Sequence, residues 1–200
     1  MIFSRPEMPL LLRESDIRPA LRRLVEASDP SDSVIIEELG LAKGAVRVDL
    51  AVVNGIMHAY EIKSDFDTLR RLSHQAEHYG KCFDRVSLVV GAKHVSLARR
   101  SVPIWWGIVR VMARDAGPHF HVVRKARPNP KRQARALAEL LWRESALALL
   151  ERAGAADGLR SKPRDVLWDR VTKVLSLDQI AEAVRTHFKA NVNRLGLLAR

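Results

Sequence analysis

Apolar positions along the first half of the chain recur in two periods. In residues 14–26, ESDIRPALRRLVE, Ile17, Leu21 and Leu24 share one side and Arg18, Arg22 and Arg23 fall toward solvent, which predicts an amphipathic helix. Ser15 or Asp16 can cap its start, Pro19 fits only the first turn, and Asp29-Pro30-Ser31-Asp32 breaks it. Ser33 to Leu39, SVIIEEL, then predicts a strand closed by Gly40, from which Glu37 and Glu38 leave on opposite faces. Two further apolar runs, RVDLAVV and IMHAYEIK, meet at Asn54-Gly55 and read as a β-hairpin, because Asn and Gly accept the positive φ of a tight turn.

Past Lys63 the period returns to that of a helix. Thr68 to about Phe83 turns Leu69, Leu72, Ala76 and Tyr79 toward the sheet, with Asp65 and Asp67 better suited to capping than to metal ligation. Arg85 to Gly91, RVSLVVG, is a continuous apolar strand of the kind buried on both faces. A short helix over Val95–Arg100 and two strands, Ile104–Met112 and Phe120–Val123, follow, parted by Gly117-Pro118. This order predicts an α/β fold with a mixed sheet flanked by helices.

Pro128 and Pro130 interrupt both periods between Ala126 and Arg132, which divides the chain into an α/β core, residues 1–125, and a helical extension, residues 126–200. The extension reads as a helix over Gln133–Ala153 ended by Gly154, an extended segment Gly158-Leu159-Arg160-Ser161-Lys162, a helix from Pro163 to Leu175 and a last helix from Leu177 to Lys189.

Hairpin register decides which residues of the two strands meet. A two-residue loop at Asn54-Gly55 pairs positions whose numbers sum to 109 and sends Asp49 to the face away from Glu61. A three-residue loop makes the sum even and brings Asp49 level with Ala59 or Glu61. Only the even register gathers both carboxylates, so a bulged, three-residue turn with Gly55 in the left-handed conformation is expected. Glu61 and Lys63, two apart on one strand, share a face.

Composition limits what these residues can serve. The single cysteine, Cys82, excludes an internal disulfide and suits a reducing cytoplasm. No apolar run approaches the roughly 20 residues of a membrane span, and MIFSRPEMPLLLRES lacks the basic cluster and cleavage site of a signal peptide. A net charge of +11 suits a polyanionic partner, with 15 basic against 8 acidic residues from Ala126 onward. The sequence leaves the oligomeric state open, a homodimer included.

Two carboxylates and a lysine converging at the end of a sheet suit a hard divalent cation, which Mg²⁺ or Mn²⁺ would supply. Such an ion stabilises charge on a phosphodiester under attack and acidifies a bound water, and a nearby lysine can orient that water. The spacing Asp49, then Glu61-Ile62-Lys63, resembles the PD-(D/E)XK nuclease superfamily, although no proline precedes Asp49. Gln75-x-x-x-Tyr79 resembles the helix motif of that superfamily's RecB and Cas4 type branches. The succession RVDLAVVNG, YEIKSDFDTLRRLSHQ, FDRVSLVVG and Pro103-Ile104-Trp105-Trp106-Gly107 is similar to a bacterial family of small proteins assigned to it.

The resemblance implies a restriction-endonuclease-like sheet and a metal-dependent deoxyribonuclease. In it Asp49, Glu61 and the Ile62 carbonyl hold the ion, with Glu38 beside them, Lys63 positions the water, and Gln75 and Tyr79 orient substrate or the lysine. Whether Glu37, Glu38 or a residue of the first helix completes the acidic cluster stays open. The alternative is a nucleic-acid-binding or adaptor protein that keeps the scaffold without turnover. The helix, extended segment and helix around Arg160, Lys162 and Arg164 are faintly similar to a SAP-type DNA-binding motif, with those three as phosphate contacts. Trp105 and Trp106 would leave a regular strand on opposite faces, one to the core and one to pack against the C-terminal helices or stack on a base. His74 and His78 stand one helical turn apart, but without a third ligand a zinc site is not expected.

Overall fold

The computed structural model describes residues 11–28 and 32–198. The N-terminal apolar run up to residue 10, and residues 29–31 of the expected helix break, lie outside them. The elements in order are α1 (Glu14–Ser28), β1 (Val34–Leu41), β2 (Val46–Val53), β3 (Met57–Lys63), α2 (Leu72–Cys82), β4 (Arg85–Gly91), α3 (Val95–Ser101), β5 (Gly107–Arg114), β6 (Gly117–Arg124), α4 (Ala134–Ala138), α5 (Arg143–Arg152), α6 (Arg164–Val174) and α7 (Leu177–Leu198). The strands form one six-stranded sheet in sequence order. β1, β2 and β3 are antiparallel, β3–β4 and β4–β5 are parallel, and β6 returns antiparallel on β5. The fold is thus mixed α/β, with helices on both faces of a mixed sheet, as the periodicity implies.

α1 covers one face. Ile17, Leu21 and Val25 pack there with Leu50, Val52, Ile62, Val89 and Val111, while Leu24, expected on the apolar side, is half exposed. The other face carries the larger core, in which Val48, Ala59, Val86 and Leu88 meet Leu72 and Tyr79 of α2 and Leu137, Leu150, Trp168 and Val184 of the C-terminal helices.

Several boundaries differ from expectation for local reasons. α2 begins at Leu72 rather than Thr68, because Asp67 is used differently: its carboxylate accepts both the Ser64 N–H (2.8 Å) and the Ser64 hydroxyl (2.6 Å), closing a turn of its own. The expected single helix over Gln133–Ala153 is two, α4 and α5, with Trp142 in extended conformation just before α5. β5 begins at Gly107, so Trp105 and Trp106 precede the strand instead of alternating along it, and both are buried. The segment expected to be extended between α5 and α6 is a pair of turns, closed by Leu159 N–H to the Ala156 carbonyl and Lys162 N–H to the Leu159 carbonyl, each 3.0 Å.

Candidate active site

β2 and β3 pair Leu50 with Tyr60, Ala51 with Ala59 and Val53 with Met57, so every pair sums to an even number, as the three-residue loop requires. The turn achieves this without a left-handed glycine, since Gly55 does not adopt positive φ. Asn54 closes it instead: its side-chain oxygen accepts the Ile56 N–H (2.9 Å) while its backbone N–H donates to the Ile56 carbonyl (3.0 Å). A carboxamide that binds the backbone two residues on mimics a turn by itself, so glycine's freedom at the next position is not called upon.

One step beyond the last β2–β3 pair, Asp49 stands level with Glu61. On the other side, β1 pairs Glu37 with Leu50 and Leu39 with Val48, which sets Glu38 level with Asp49. Three carboxylates from three neighbouring strands therefore share one row. The regular alternation of faces slips here: Ile36 and Leu39 of β1, and Val48 and Ala51 of β2, all enter the helix-rich core although each pair is an odd number of residues apart. Glu38 carries the slip, with φ 54. A non-glycine residue in that region is strained, and such strain persists only where surrounding contacts hold it.

Glu61 is fully buried and saturated with donors. Its Oε1 takes the Lys63 ammonium and the Gln75 Nε2 (2.6 Å), and its Oε2 lies 2.5 Å from the Tyr79 hydroxyl, which is also 2.7 Å from the Arg47 carbonyl. Burial, then the charge of Glu61, raises the Tyr79 phenol far above its ordinary range, so it stays a proton donor. Trp106 stacks on the Tyr79 ring at 5.9 Å between centroids and 10° between planes. The Pro-x-Trp-Trp-Gly element thus fixes the tyrosine from behind, and neither tryptophan is presented as a stacking surface for a base.

Asp49 belongs to a second set. Its Oδ2 accepts the Ile62 N–H at 2.6 Å, in the position a backbone carbonyl would occupy had β2 and β3 stayed paired. Burial, and next the charge of Glu61, pushes its carboxyl up to about 7, partly offset by the Ile62 N–H and Lys63. Oxygens of Asp49, Glu38 and Glu14 lie within 4.8 Å of one another. The expected ligand set thus divides: Asp49 and Glu38 join Glu14 of the first helix, while Glu61 is engaged by Lys63, Gln75 and Tyr79. Glu37, the alternative on β1, pairs with Arg22 at 2.7 Å.

Between these acids lies Arg18, expected in solvent and in fact only 18% exposed at its side chain. Its guanidinium bonds Glu14 and Glu38 and approaches Asp49 at 3.5 Å. Burial pulls its pKa down, but the bonds to Glu14 and Glu38 and the charge of Asp49 more than offset this. The sequence does not single out Glu14 and Arg18, because helical spacing shows only which side is polar. Their Glu-x-x-x-Arg spacing, one helical turn, is the one signal available.

Glu14, Arg18, Glu38, Asp49, Glu61, Lys63 and Gln75 line a cleft of about 450 Å³, together with Arg47, Asp67, Arg71 and His74. Its donors are hard oxygens, the chemistry that Mg²⁺ or Mn²⁺ prefers. A divalent ion there would be held by Asp49, Glu38 and Glu14 once Arg18 withdrew, and the residues present fit such an ion. His74 and His78 contact each other edge to face, centroids 4.8 Å apart, on the exposed side of α2. Arg160, Lys162 and Arg164 stand apart from the cleft: Arg160 pairs with Glu151 at 2.7 Å and Arg164 lies over the Trp168 ring.

Fold and site together define an α/β protein with a lysine–carboxylate pair and an acidic cluster between α1 and the first strands of its sheet. Residues 10–195 match the family described as Bacteriophage P4 protein cII, and the chain belongs to that family. Protein cII of Enterobacteria phage P4 is 32% identical over 183 residues, spanning 91% of this chain and 69% of that protein. A solved structure, SPO1766 protein of unknown function from Silicibacter pomeroyi, is 22% identical, covers 74% of this chain and 92% of its own, and has a TM-score of 0.43.

Proposed function

We propose that the protein is a metal-dependent nuclease that hydrolyses phosphodiester bonds in DNA at the cleft between β1, β2, β3 and α1. The observation that carries this is the row Glu38, Asp49 and Glu61 across three strands, with Lys63 on the face of Glu61. When bound, Mg²⁺ or Mn²⁺ would acidify a water and stabilise charge on the phosphate. Asp49, Glu38 and Glu14 would hold the ion, and the Ile62 carbonyl retains the role the resemblance implies. Lys63, oriented by Glu61, would position the attacking water. Gln75 and Tyr79 keep Glu61 in place, and through it the lysine. The likeness to a phage protein favours a mobile-element setting over repair, and a cytoplasmic location accords with the one buried free thiol, Cys82.

The test is incubation of the purified protein with Mg²⁺ or Mn²⁺ and linear, nicked, branched and single-stranded DNA, with chelator controls. Cleavage by the wild type, lost in Asp49→Ala and Lys63→Ala, is the expected result. Undiminished cleavage in both variants would overturn these roles. One observation favours the second reading, a nucleic-acid-binding protein without turnover: Arg18 already neutralises the cluster from within. That reading requires DNA binding without a divalent ion and unchanged in Asp49→Asn.

A further inference from the structure

Residues 85–132 hold 11 of the chain's 34 lysines and arginines and one, Asp115, of its 23 aspartates and glutamates. That segment alone therefore carries +10 of the net +11, and the remaining charges nearly cancel. It is β4, α3, β5, β6 and the stretch leading to α4, the half of the sheet away from the acidic cleft.

The fold gathers these cations on one edge. Arg124 donates from Nε to the Trp106 carbonyl (2.7 Å) and from Nη2 to the Pro103 carbonyl (3.0 Å), and the Arg127 N–H donates to the Trp105 carbonyl (2.8 Å). The loop that binds both arginines follows directly on the last turn of α3, which bears Arg99 and Arg100. On the strands, Arg110 pairs with His121 and Met112 with His119, on the side opposite Val109 and Val111, which face α1. Among the described residues, none of Arg99, Arg100, Arg110, Arg114, Arg124, Lys125 and Arg127 makes an ion pair, while Arg132, at the far end of the same segment, pairs with Asp84 and Asp178. Burial, and then repulsion from Arg99 and Arg127, lowers the Arg124 pKa, as expected for cations crowded without a counter-charge.

We propose that this edge, β5 and β6 with the last turn of α3, is the surface that grips the phosphate backbone of a nucleic acid. A row of exposed, unneutralised cations sets up a positive potential that draws in a polyanion. Arginine outnumbers lysine in the segment by 8 to 3, and its planar fork binds phosphate oxygens in pairs where lysine offers a point charge. A strand of eight residues spans roughly 25 Å, a length over which a nucleic acid strand, at one phosphate per about 3.4 Å of axis, offers a run of matching charges. The inference shares with the proposed function the premise of a nucleic acid partner, but requires no hydrolysis. It moves the main phosphate contacts away from Arg160, Lys162 and Arg164.

Fluorescence anisotropy of labelled single-stranded and duplex DNA, titrated with full-length protein in chelator over a range of salt, tests it. Reversing the exposed Arg99, Arg100 and Arg127 to Glu should raise Kd by about tenfold or more and flatten the log–log salt dependence by roughly two to three. Neutral Gln variants should do the same in smaller measure, with unchanged circular dichroism throughout. Reversing Arg160, Lys162 and Arg164 should change Kd less than the edge reversal does. The proposal is overturned if the edge reversal leaves Kd within about twofold, if the Arg160 set weakens binding as much, or if the wild type ignores DNA and binds only anionic phospholipid vesicles. Binding through this edge with no cleavage in Mg²⁺ would count against the nuclease reading alone. Cleavage at undiminished kcat/KM in the edge variant would count against the edge alone.

Discussion

The two ends of the sheet solve the problem of clustered like charge in opposite ways. On the β1, β2 and β3 side of the sheet, acids are crowded, but each is answered from within the chain: Arg18 among Glu14, Glu38 and Asp49, and Lys63 with two hydrogen-bond donors on Glu61. Along β5 and β6 the crowd is cationic, and no described carboxylate answers it. Internal compensation in a buried place holds geometry at some cost in desolvation, whereas exposed, uncompensated charge attracts a partner at long range. The first end is built to position groups, and the second to attract.

The largest test of that contrast is Glu61→Ala. It strands Lys63, whose side chain is 10% exposed, without its carboxylate and leaves Gln75 and Tyr79 without their acceptor. Breaking a buried pair from one side costs about 3–5 kcal/mol, read as a lower urea midpoint at unchanged slope. Reversal of any exposed edge arginine should instead leave stability within about 0.5 kcal/mol. If the two kinds of substitution cost the same, the distinction between an internally compensated and an open end fails.

Arg18→Ala comes next. Removing charged hydrogen bonds from a partly exposed site should cost about 1–3 kcal/mol in chelator, because three carboxylates then face one another unscreened. In Mg²⁺ or Mn²⁺ the variant should recover stability and bind the ion more tightly than the wild type in calorimetry. If no ion binds even then, the cluster is a structural network and the reading without turnover gains.

Much of the acidic end is legible in the sequence. The odd or even sum of paired positions depends only on loop length, and the site hinges on it: Asn54-Gly55 allows either a two- or a three-residue loop, and only the requirement that Asp49 and Glu61 meet selects the even register that the strands adopt. The conformation of the turn is not legible, because glycine's tolerance of positive φ is a permission, and the Asn54 side chain closes the loop without it. Arg18 is misplaced by the sequence pattern for a related reason: helical period separates polar from apolar sides but does not say which polar residue looks along the sheet toward its end. The slip of alternation at Glu38 is invisible, since it requires φ 54 at a residue whose type gives no hint of it. The concentration of charge in residues 85–132 is fully visible in the sequence. A division at residue 125 cuts through it and credits the excess to the C-terminal helices.

An effect spread over pH follows from Asp49, whose carboxyl is pushed up to about 7, above its ordinary value of 3.8. Between those two values the folded state binds more protons than the unfolded one, so this group's contribution is complete below about pH 4, falls as pH rises, and stops changing above about pH 7. Urea titrations in chelator should therefore show declining stability across that window, flattened in Asp49→Asn. A divalent ion at the cluster should flatten it too, by favouring the carboxylate. Identical pH profiles for wild type and Asp49→Asn would mean that the acidic end is more open to solvent than its burial suggests.

The smallest effect is expected at Gly55, and it examines how the acidic end acquires its register. Gly55 lies outside the positive-φ region, and an added Cβ would meet nothing within 4 Å. Gly55→Ala should therefore leave stability unchanged or raise it by about 0.4–1 kcal/mol through the stiffer unfolded chain. Asn54→Ala, which removes the acceptor of the Ile56 N–H, should cost about 0.5–1.5 kcal/mol. The reverse order, with Gly55→Ala the more damaging, would mean that a left-handed glycine holds the hairpin, and that the level placement of Asp49 and Glu61 rests on the glycine after all.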